Sequence, residues 1–327
     1  LGFPVAMSVL TDMILNPLLD AEELEKERDV VLEELRMTND YPTNRLDLLM
    51  DDTLWPDQPM GRDVGGTLDS VRNITRDQIL EYTRRQYAPG NAVVTVAGDI
   101  SHDEVVELLD HELGDWQQGE AMSWFPVVDG QDAPRQQFEH RKTEQAHLCV
   151  GVPGLPIGHP DRFALGLMNV ILGEGMSSRL FVELREKRGL AYDVHSSLNL
   201  FRDCGSLTVY CGVEPQKGEV ALSAILEQLA GLRSDIPQSE LEKARELTKG
   251  RMLLRMEDSR AVAMWMGAQE KLTGRVRTVD EVVGILDSVT LEDVERVAGD
   301  LIREEKLNMA VVAPYRSDRR FRGLLKL

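Results

Sequence analysis

Apolar residues near the start of the chain recur at the spacing of an amphipathic helix. Leu24, Val31 and Leu35 lie within about 40° of one another at about 100° per residue. Asp20 precedes them as a candidate N-cap, and Glu23 follows it at the spacing of a capping box. The pattern predicts a long helix that begins at Asp20 and ends near residue 37.

Other segments have the pattern of β-strands. Short runs of apolar and β-branched residues occur at 92–96, 146–152 and 206–211, and an apolar helix is predicted at 163–172. Helices and separate β runs without strict βαβ alternation are typical of the α+β class. We therefore predict a mostly antiparallel sheet with helices packed on one face.

Three landmarks recur along the chain at a separation of 217 or 218 residues. They pair Glu23–Arg28 with Glu240–Arg245, Leu68–Val71 with Leu286–Val289, and Asn91–Ala97 with Asn308–Ala313. Such spaced self-similarity indicates duplication of one structural unit. The sequence thus predicts two homologous repeats, each with its own sheet and helices.

The repeat also predicts the domain boundaries. Residues 1–120 form the C-terminal part of the first repeat, residues 121–135 a turn-rich linker, and residues 136–327 the second repeat. The counterpart of residue 136 would stand about eighty residues before residue 1. We therefore expect the first repeat to be incomplete in this chain.

Two acids of the predicted first helix fall within its apolar arc. Glu27 and Glu34 are seven residues apart, so they project side by side two turns apart. Burying both would be costly unless a metal or a basic side chain accompanied them, and the alternative is a place at the rim of the core, solvated or paired with arginine. The second repeat carries Ala244 and Arg251 at the equivalent positions. This difference favours a site in one repeat alone.

The segment Glu27–Glu34 (ERDVVLEE) resembles the ERxxVxxE motif of the pitrilysin/insulinase zinc peptidases, or inverzincins, which include the mitochondrial processing peptidase. The resemblance implies that Glu34 is the third zinc ligand and that Glu27 supports the site. The other ligands in that family are the two histidines of an HxxEH helix, whose glutamate is the general base. No HxxEH occurs in this chain, where the six histidines are His102, His111, His140, His147, His159 and His195.

A second stretch, residues 173–192, is similar to the SSRLFxELREKxGLxY segment of the same family. The resemblance implies that Arg185 and Tyr192 bind the substrate backbone and help stabilise the tetrahedral intermediate, a role that suits cationic and phenolic donors. The alternative is a helix ended by Gly189, with Arg185 solvated and Tyr192 opening a strand.

Net charge and composition indicate which classes of partner and which compartment suit this chain. The formal net charge of −19 makes nucleic acid and anionic membrane surfaces unfavourable partners, and no apolar run is long enough to span a bilayer. Three cysteines without a CxxC pair predict no disulfide framework and favour a reducing compartment. We expect the bacterial cytoplasm, with the mitochondrial matrix or periplasm as alternatives.

The resemblance implies a zinc-dependent metalloendopeptidase that hydrolyses peptide bonds in short or unfolded polypeptides, in the complete protein. Zn²⁺ would be bound only with an HxxEH helix present, so this chain alone is expected to be inactive. Subunits of the family often pair, which predicts a homodimer or a heterodimer with a related subunit. The alternatives are a non-catalytic peptide-binding or partner subunit of an active peptidase and a core subunit of a respiratory complex.

Overall fold

The structure, a computed structural model, describes residues 2–119 and 123–327. The first two residues of the predicted linker, 121 and 122, therefore lie outside the described residues. The helices are α1 (Gly2–Leu15), α2 (Ala21–Asp40), α3 (Pro42–Leu54), α4 (Leu68–Asn73), α5 (Arg76–Gln86), α6 (His102–Leu113), α7 (Arg162–Gly173), α8 (Gly218–Gly231), α9 (Gln238–Arg255), α10 (Ser259–Thr273), α11 (Val279–Ser288) and α12 (Leu291–Leu301). The strands are β1 (Arg135–His140), β2 (Ala146–Pro153), β3 (Ala191–Leu200), β4 (Gly205–Val213) and β5 (Asn308–Ala313).

The strands form one sheet in the order β1-β5-β2-β4-β3. Its β1–β5 pair is parallel, and the other three pairs are antiparallel. The predicted strands at 146–152 and 206–211 correspond to β2 and β4, and the predicted helix at 163–172 corresponds to α7. The α+β class, with its mostly antiparallel sheet, is confirmed.

Helices cover both faces of this sheet, so the expectation of helices on one face is wrong, because α3 from the first repeat adds a second helical layer. On one face, the Ser196 hydroxyl of β3 donates to the backbone carbonyl of Asn169 in α7 at 3.1 Å. On the other face, Leu46 and Met50 of α3 share a buried cluster with Val312 of β5. The central strand β2 is buried on both sides along almost its whole length, as a strand between two helical layers must be.

The chain divides into two compact units that do not follow the chain in sequence. Unit 1 comprises Leu1–Arg36, Gly65–Phe125 and Leu254–Arg277, and unit 2 comprises Met37–Val64, Pro126–Leu253 and Thr278–Leu327. Helix α3 from the first repeat therefore belongs to unit 2, and α10 from the second repeat belongs to unit 1. The sequential division with a linker at residues 121–135 stays a prediction.

The contact of α10 within unit 1 repeats that of α3 within unit 2. Thr95 donates a hydrogen bond from Oγ1 to the carbonyl of Ala263 in α10 at 2.9 Å. It also lies so close to Gly267 that a Cβ added there would stand 2.9 Å from Thr95 Oγ1. Thr95 is separated from its counterpart Val312 by 217 positions, and the same separation relates Ala263 to Leu46 and Gly267 to Met50. These three counterparts all belong to the buried cluster of unit 2. The two repeats thus exchange equivalent helices.

A second equivalent pair of contacts supports the duplication. Arg28 of α2 donates to the backbone carbonyl of Val71. In the second repeat Arg245 of α9 donates to the carbonyl of Val289 at 2.8 Å. Both guanidinium groups satisfy a carbonyl at the C-terminal end of a short helix, in the last turn of α4 and directly after α11, where backbone acceptors have no partner within the helix.

The predicted strand at 92–96 forms no ladder among the described residues. Ala92 has extended dihedral angles, φ −117° and ψ 146°. Val94 is 47% exposed, whereas Val311, its counterpart in β5, is 1% exposed. β5 lies between β1 and β2, but the described part of unit 1 contains no strand beside 92–96. An extended segment becomes a strand only when a neighbour accepts its hydrogen bonds.

Within residues 2–119 and 123–327, no helix combines the length and apolar character that a membrane span requires. Cys149, Cys204 and Cys211 are buried free thiols.

Candidate functional site

The helix that carries the two predicted site acids begins where the sequence predicts. Asp20 Oδ1 accepts hydrogen bonds from the backbone N–H of Glu22 at 2.9 Å and of Glu23 at 3.1 Å, so Asp20 is the N-cap of α2. The Glu23 side chain accepts a hydrogen bond from Lys26 Nζ at 2.7 Å. The helix continues to Asp40, a few residues beyond the predicted end.

Glu27 and Glu34 lie side by side on α2, and both are exposed. The buried stripe of the helix is centred on Leu32 and Leu35, about a third of a turn away from the acids. Val30, on the far side of the acids, is 50% exposed. The expectation of inward acids is therefore wrong for the described structure, and the alternative of a place at the rim of the core describes it.

These acids do not by themselves make a zinc site. A structural or catalytic zinc ion takes three or four protein ligands. Among residues 2–119 and 123–327, no group of three or more histidine, cysteine, aspartate or glutamate side chains is arranged to hold a metal. The described residues therefore do not supply the set of ligands that a zinc ion requires.

The equivalent positions in the second repeat have a different structure. Arg251 of α9 donates from Nη1 to Glu174 Oε2 at 2.7 Å. Glu174 Oε1 accepts from Asn169 Nδ2 at 2.6 Å, and Asn169 Oδ1 accepts from the Ser196 hydroxyl at 2.6 Å. Ala244, at the position equivalent to Glu27, is 2% exposed. A network of one ion pair and two hydrogen bonds therefore surrounds the position equivalent to Glu34.

The segment Phe181–Lys187, which carries Arg185, is π-helical. The N–H of Arg188 bonds the carbonyl of Glu183, five residues back, at 3.1 Å. Leu184 anchors the segment in the core with no exposed surface. Gly189 then adopts φ +56°, a left-handed conformation that glycine takes without strain, and β3 begins at Ala191. π-Helical turns are rare and occur often at functional sites.

The structure brings Arg185 and Tyr192 together. Arg185 Nη1 donates to the Tyr192 carbonyl oxygen at 3.0 Å, and the guanidinium carbon lies 4.4 Å from the centre of the Tyr192 ring. Tyr192 lies at the irregular start of β3, where the pairing with β4 shifts between Ala191 and Asp193. This bulge leaves the Tyr192 side chain 76% exposed.

A third residue at this site was not assigned a role from the sequence. The Phe181 ring lies 4.9 Å from the guanidinium carbon of Arg185, on the same π-helical segment. The signal in the sequence was an aromatic residue four positions before the arginine.

Glu183, the acid two residues before Arg185, is already paired. Its carboxylate accepts from Lys187 Nζ at 3.0 Å and from Arg188 Nε at 2.9 Å. The hydrogen bond from Lys187, followed by that from Arg188, holds the pKa of Glu183 below its usual range. Arg185 is therefore held by two rings and a carbonyl, and its charge is available to a ligand.

The predicted site residues fall into two groups. Glu27 and Glu34 belong to unit 1, whereas Arg185 and Tyr192 belong to unit 2. Each pair lies on an exposed surface of its own unit.

Comparison with known proteins agrees with the motifs. Residues 73–248 match the family model described as "Peptidase M16 inactive domain", and residues 2–68 match "Insulinase (Peptidase family M16)". An uncharacterized zinc protease of Streptomyces coelicolor is 35% identical, over 96% of this chain and 70% of its own length. The uncharacterized zinc protease YmxG of Bacillus subtilis is 34% identical, over 94% of this chain and 75% of its own length.

The crystal structure of a protease from Helicobacter pylori shares the fold, with a TM-score of 0.90 at 24% identity, over 96% of this chain and 77% of that one. The sequence matches and the motifs at Glu27–Glu34 and Arg185–Tyr192 lead to one conclusion. The chain belongs to the insulinase family of peptidases, family M16.

Proposed function

We propose that this chain is part of a zinc-dependent endopeptidase that cleaves short or unfolded polypeptides, and that Arg185 and Tyr192 hold the substrate backbone. The observation that carries the proposal is the exposed pair itself, in which a guanidinium is fixed by a carbonyl at 3.0 Å and by a ring at 4.4 Å. An immobilised cation beside a phenol can donate to a peptide carbonyl and to the oxyanion that forms from it.

Glu34 would be one zinc ligand of the complete enzyme, and Glu27 would support it from one face of the same helix. Both carboxylates are exposed, so they are accessible to a metal ion and to further ligands. Zinc would supply a Lewis acid and an activated water. The names of the relatives as zinc proteases support this assignment.

The partners follow from the same proposal. An extended or unfolded polypeptide is the substrate, and two subunits, identical or related, assemble so that their sites act together. We place the enzyme in the bacterial cytoplasm. The chain's acidity, with a net charge of −19, makes nucleic acid an unfavourable ligand.

A second candidate is a non-catalytic subunit that binds peptides for an active partner. The match of residues 73–248 to a domain described as inactive favours it. The two candidates differ in zinc content and in turnover, but both require Arg185 and Tyr192 to bind peptide.

The test uses the protein isolated from its native source. Its intact mass, its zinc content and its hydrolysis of an internally quenched peptide are measured for the wild type and for Glu34→Gln. The matched control is Glu33→Gln, because Glu33 is an exposed acid of the same helix that pairs with Arg36. Loss of zinc and turnover in Glu34→Gln alone supports the peptidase, whereas stoichiometric zinc in Glu34→Gln contradicts the assignment.

Absence of both zinc and turnover in the wild type would favour the partner subunit. In that case Arg185→Ala should still weaken binding of an unfolded peptide. Arg188→Ala is the control, because Arg188 is the neighbouring arginine that pairs with Glu183 and Glu227.

A further inference from the structure

We propose that Phe181 is a positioning residue for peptide binding, which acts by sandwiching the Arg185 guanidinium against Tyr192. The proposal rests on the proposed role of Arg185 and Tyr192 and adds a residue to it. Phe181 itself is half-buried.

The sandwich is defined by two short ring contacts. The guanidinium carbon of Arg185 lies 4.9 Å from the Phe181 ring centre and 4.4 Å from the Tyr192 ring centre. Both distances are within the range of about 6 Å in which the ring quadrupole attracts a cation. The guanidinium is therefore in contact with two aromatic rings.

The Tyr192 carbonyl restricts the orientation of the Arg185 guanidinium. It accepts one hydrogen bond from Arg185 Nη1 at 3.0 Å, which fixes the rotation of the planar group between the rings. A guanidinium has five N–H donors. With one donor engaged by the carbonyl and two rings in contact with the cation, the remaining donors are left for a peptide carbonyl or a developing oxyanion.

Phe181 and Arg185 can stack because side chains four residues apart on a helical segment lie on the same face. Hydrogen bonds that span five residues, such as that from the Arg188 N–H to the Glu183 carbonyl, hold the segment. Leu184 is fully buried and Gly189 ends the segment, so the core holds this turn in place.

Aromatic rings can hold the Arg185 guanidinium without neutralising its charge. The carboxylate of Glu183, two residues before Arg185, is engaged by Lys187 and Arg188. A carboxylate partner would hold Arg185 but would also neutralise it and occupy its donors. Two aromatic faces hold the cation in place and leave its charge and its free edge for the ligand.

The first experiment measures the sandwich without any ligand. Arginine side-chain NMR of the chain should show upfield ring-current shifts for the Arg185 Hδ and Hε protons, reduced in Phe181→Leu and retained in Phe181→Tyr. Phe163→Leu is the matched control, because its ring lies 4.7 Å from a different arginine, Arg162. Unchanged Arg185 shifts in Phe181→Leu would overturn the proposal.

The second experiment measures binding of a fluorescein-labelled, unstructured casein peptide by anisotropy. Phe181→Leu should weaken binding about two- to fivefold, the loss that corresponds to one exposed cation–π contact, and Phe181→Tyr should restore it. In an Arg185→Lys background, Phe181→Leu should have little further effect. An equal loss in both backgrounds would show that Phe181 acts independently of Arg185, which contradicts the proposal.

A failure of the proposed role of Arg185 can be distinguished from a failure of the proposed role of Phe181. If the Arg185→Lys variant binds the peptide as tightly as the wild type, Arg185 does not hold the substrate backbone. This conclusion does not depend on the NMR shifts. Thermal unfolding of each variant separates a change at the site from a loss of folding.

Discussion

Arg251 donates a hydrogen bond to Glu174 at 2.7 Å. In the second repeat, Arg251 stands at the position that is equivalent to Glu34 in the first. One position in a duplicated helix thus carries an exposed acid in one copy and a paired cation in the other. The partner, Glu174, directly follows α7 and is itself held by Asn169. Since an arginine paired with a glutamate cannot serve as a metal ligand, the second copy cannot bind a metal through this position.

Reversing the charge of Arg251 should destabilise unit 2. Arg251→Glu places two carboxylates where the ion pair was, and we expect a loss of about 1 kcal/mol in the free energy of unfolding, because exposed pairs contribute up to roughly that much. Both side chains are partly exposed, at 50% and 37%, which limits the effect. Urea denaturation measures it, and the double variant Glu174→Arg/Arg251→Glu should recover most of the loss. A double variant no more stable than Arg251→Glu would contradict the prediction.

Asp51 of α3 should make stability depend on pH. Burial, followed by repulsion from Asp47, raises the pKa of Asp51 to about 6 from its ordinary value of 3.8. The folded state therefore binds this proton more tightly than the unfolded state, and stability falls as the pH rises through the interval between these two values. The Asp51→Asn variant lacks this titrating carboxyl group, so its stability should not fall over this pH interval.

We therefore expect Asp51→Asn to be more stable than the wild type by about 1–2 kcal/mol at about pH 7.5, after allowance for partial exposure, and to lose this advantage near pH 4. Urea titrations at the two pH values measure the difference. Asp52→Asn is the control, because Asp52 is an exposed acid on the same helix that accepts a hydrogen bond from Gln137 at 2.7 Å. A constant difference between Asp51→Asn and the wild type across this range would contradict the prediction.

The packing of α10 in unit 1 should be sensitive to a single methyl group. A Cβ at Gly267 would meet Thr95 Oγ1 at 2.9 Å, and Thr95 can turn away only by giving up its hydrogen bond to Ala263. Gly267→Ala should therefore lower the free energy of unfolding by about 1 kcal/mol, in spite of the better helix propensity of alanine.

Gly250, in α9, is the matched control. A Cβ there meets nothing within 4 Å, so Gly250→Ala should stabilise the chain by about 0.5–1 kcal/mol. Chemical denaturation measures both variants. Equal stabilisation by the two substitutions would show that Thr95 does not restrict α10.

Arg245 should matter more for stability than its surface position indicates. It donates to the carbonyl of Leu286 at 3.0 Å and to that of Val289 at 2.8 Å, and Arg245→Met would leave both acceptors without a charged donor. We expect a loss of about 1–3 kcal/mol in denaturant unfolding. Lys243→Met, an exposed substitution on the same helix, should stay within about 0.5 kcal/mol. A similar small effect for Arg245→Met would contradict the prediction.

Local signals in the sequence predicted the elements of the second repeat closely. The strand at 146–152, the helix at 163–172 and the N-cap at Asp20 depend on neighbours within a few residues, and each is confirmed. The segment at 92–96 has the same local pattern as β5 but forms no ladder in the described structure. Strand formation needs a partner from elsewhere in the chain, and a local pattern carries no information about that partner.

The sequence by itself determined the family, the α+β class and the duplication, because motifs, periodicity and the 217-residue spacing are properties of the linear chain. The tertiary structure alone decided that α3 and α10 are exchanged between the repeats, that Glu27 and Glu34 are exposed, and that Phe181 stacks on Arg185. A helix can present its apolar stripe to any complementary surface, so the pattern specifies that it packs but not on which sheet. The choice depends on shape and on the path of the chain between distant segments, which only the folded molecule contains.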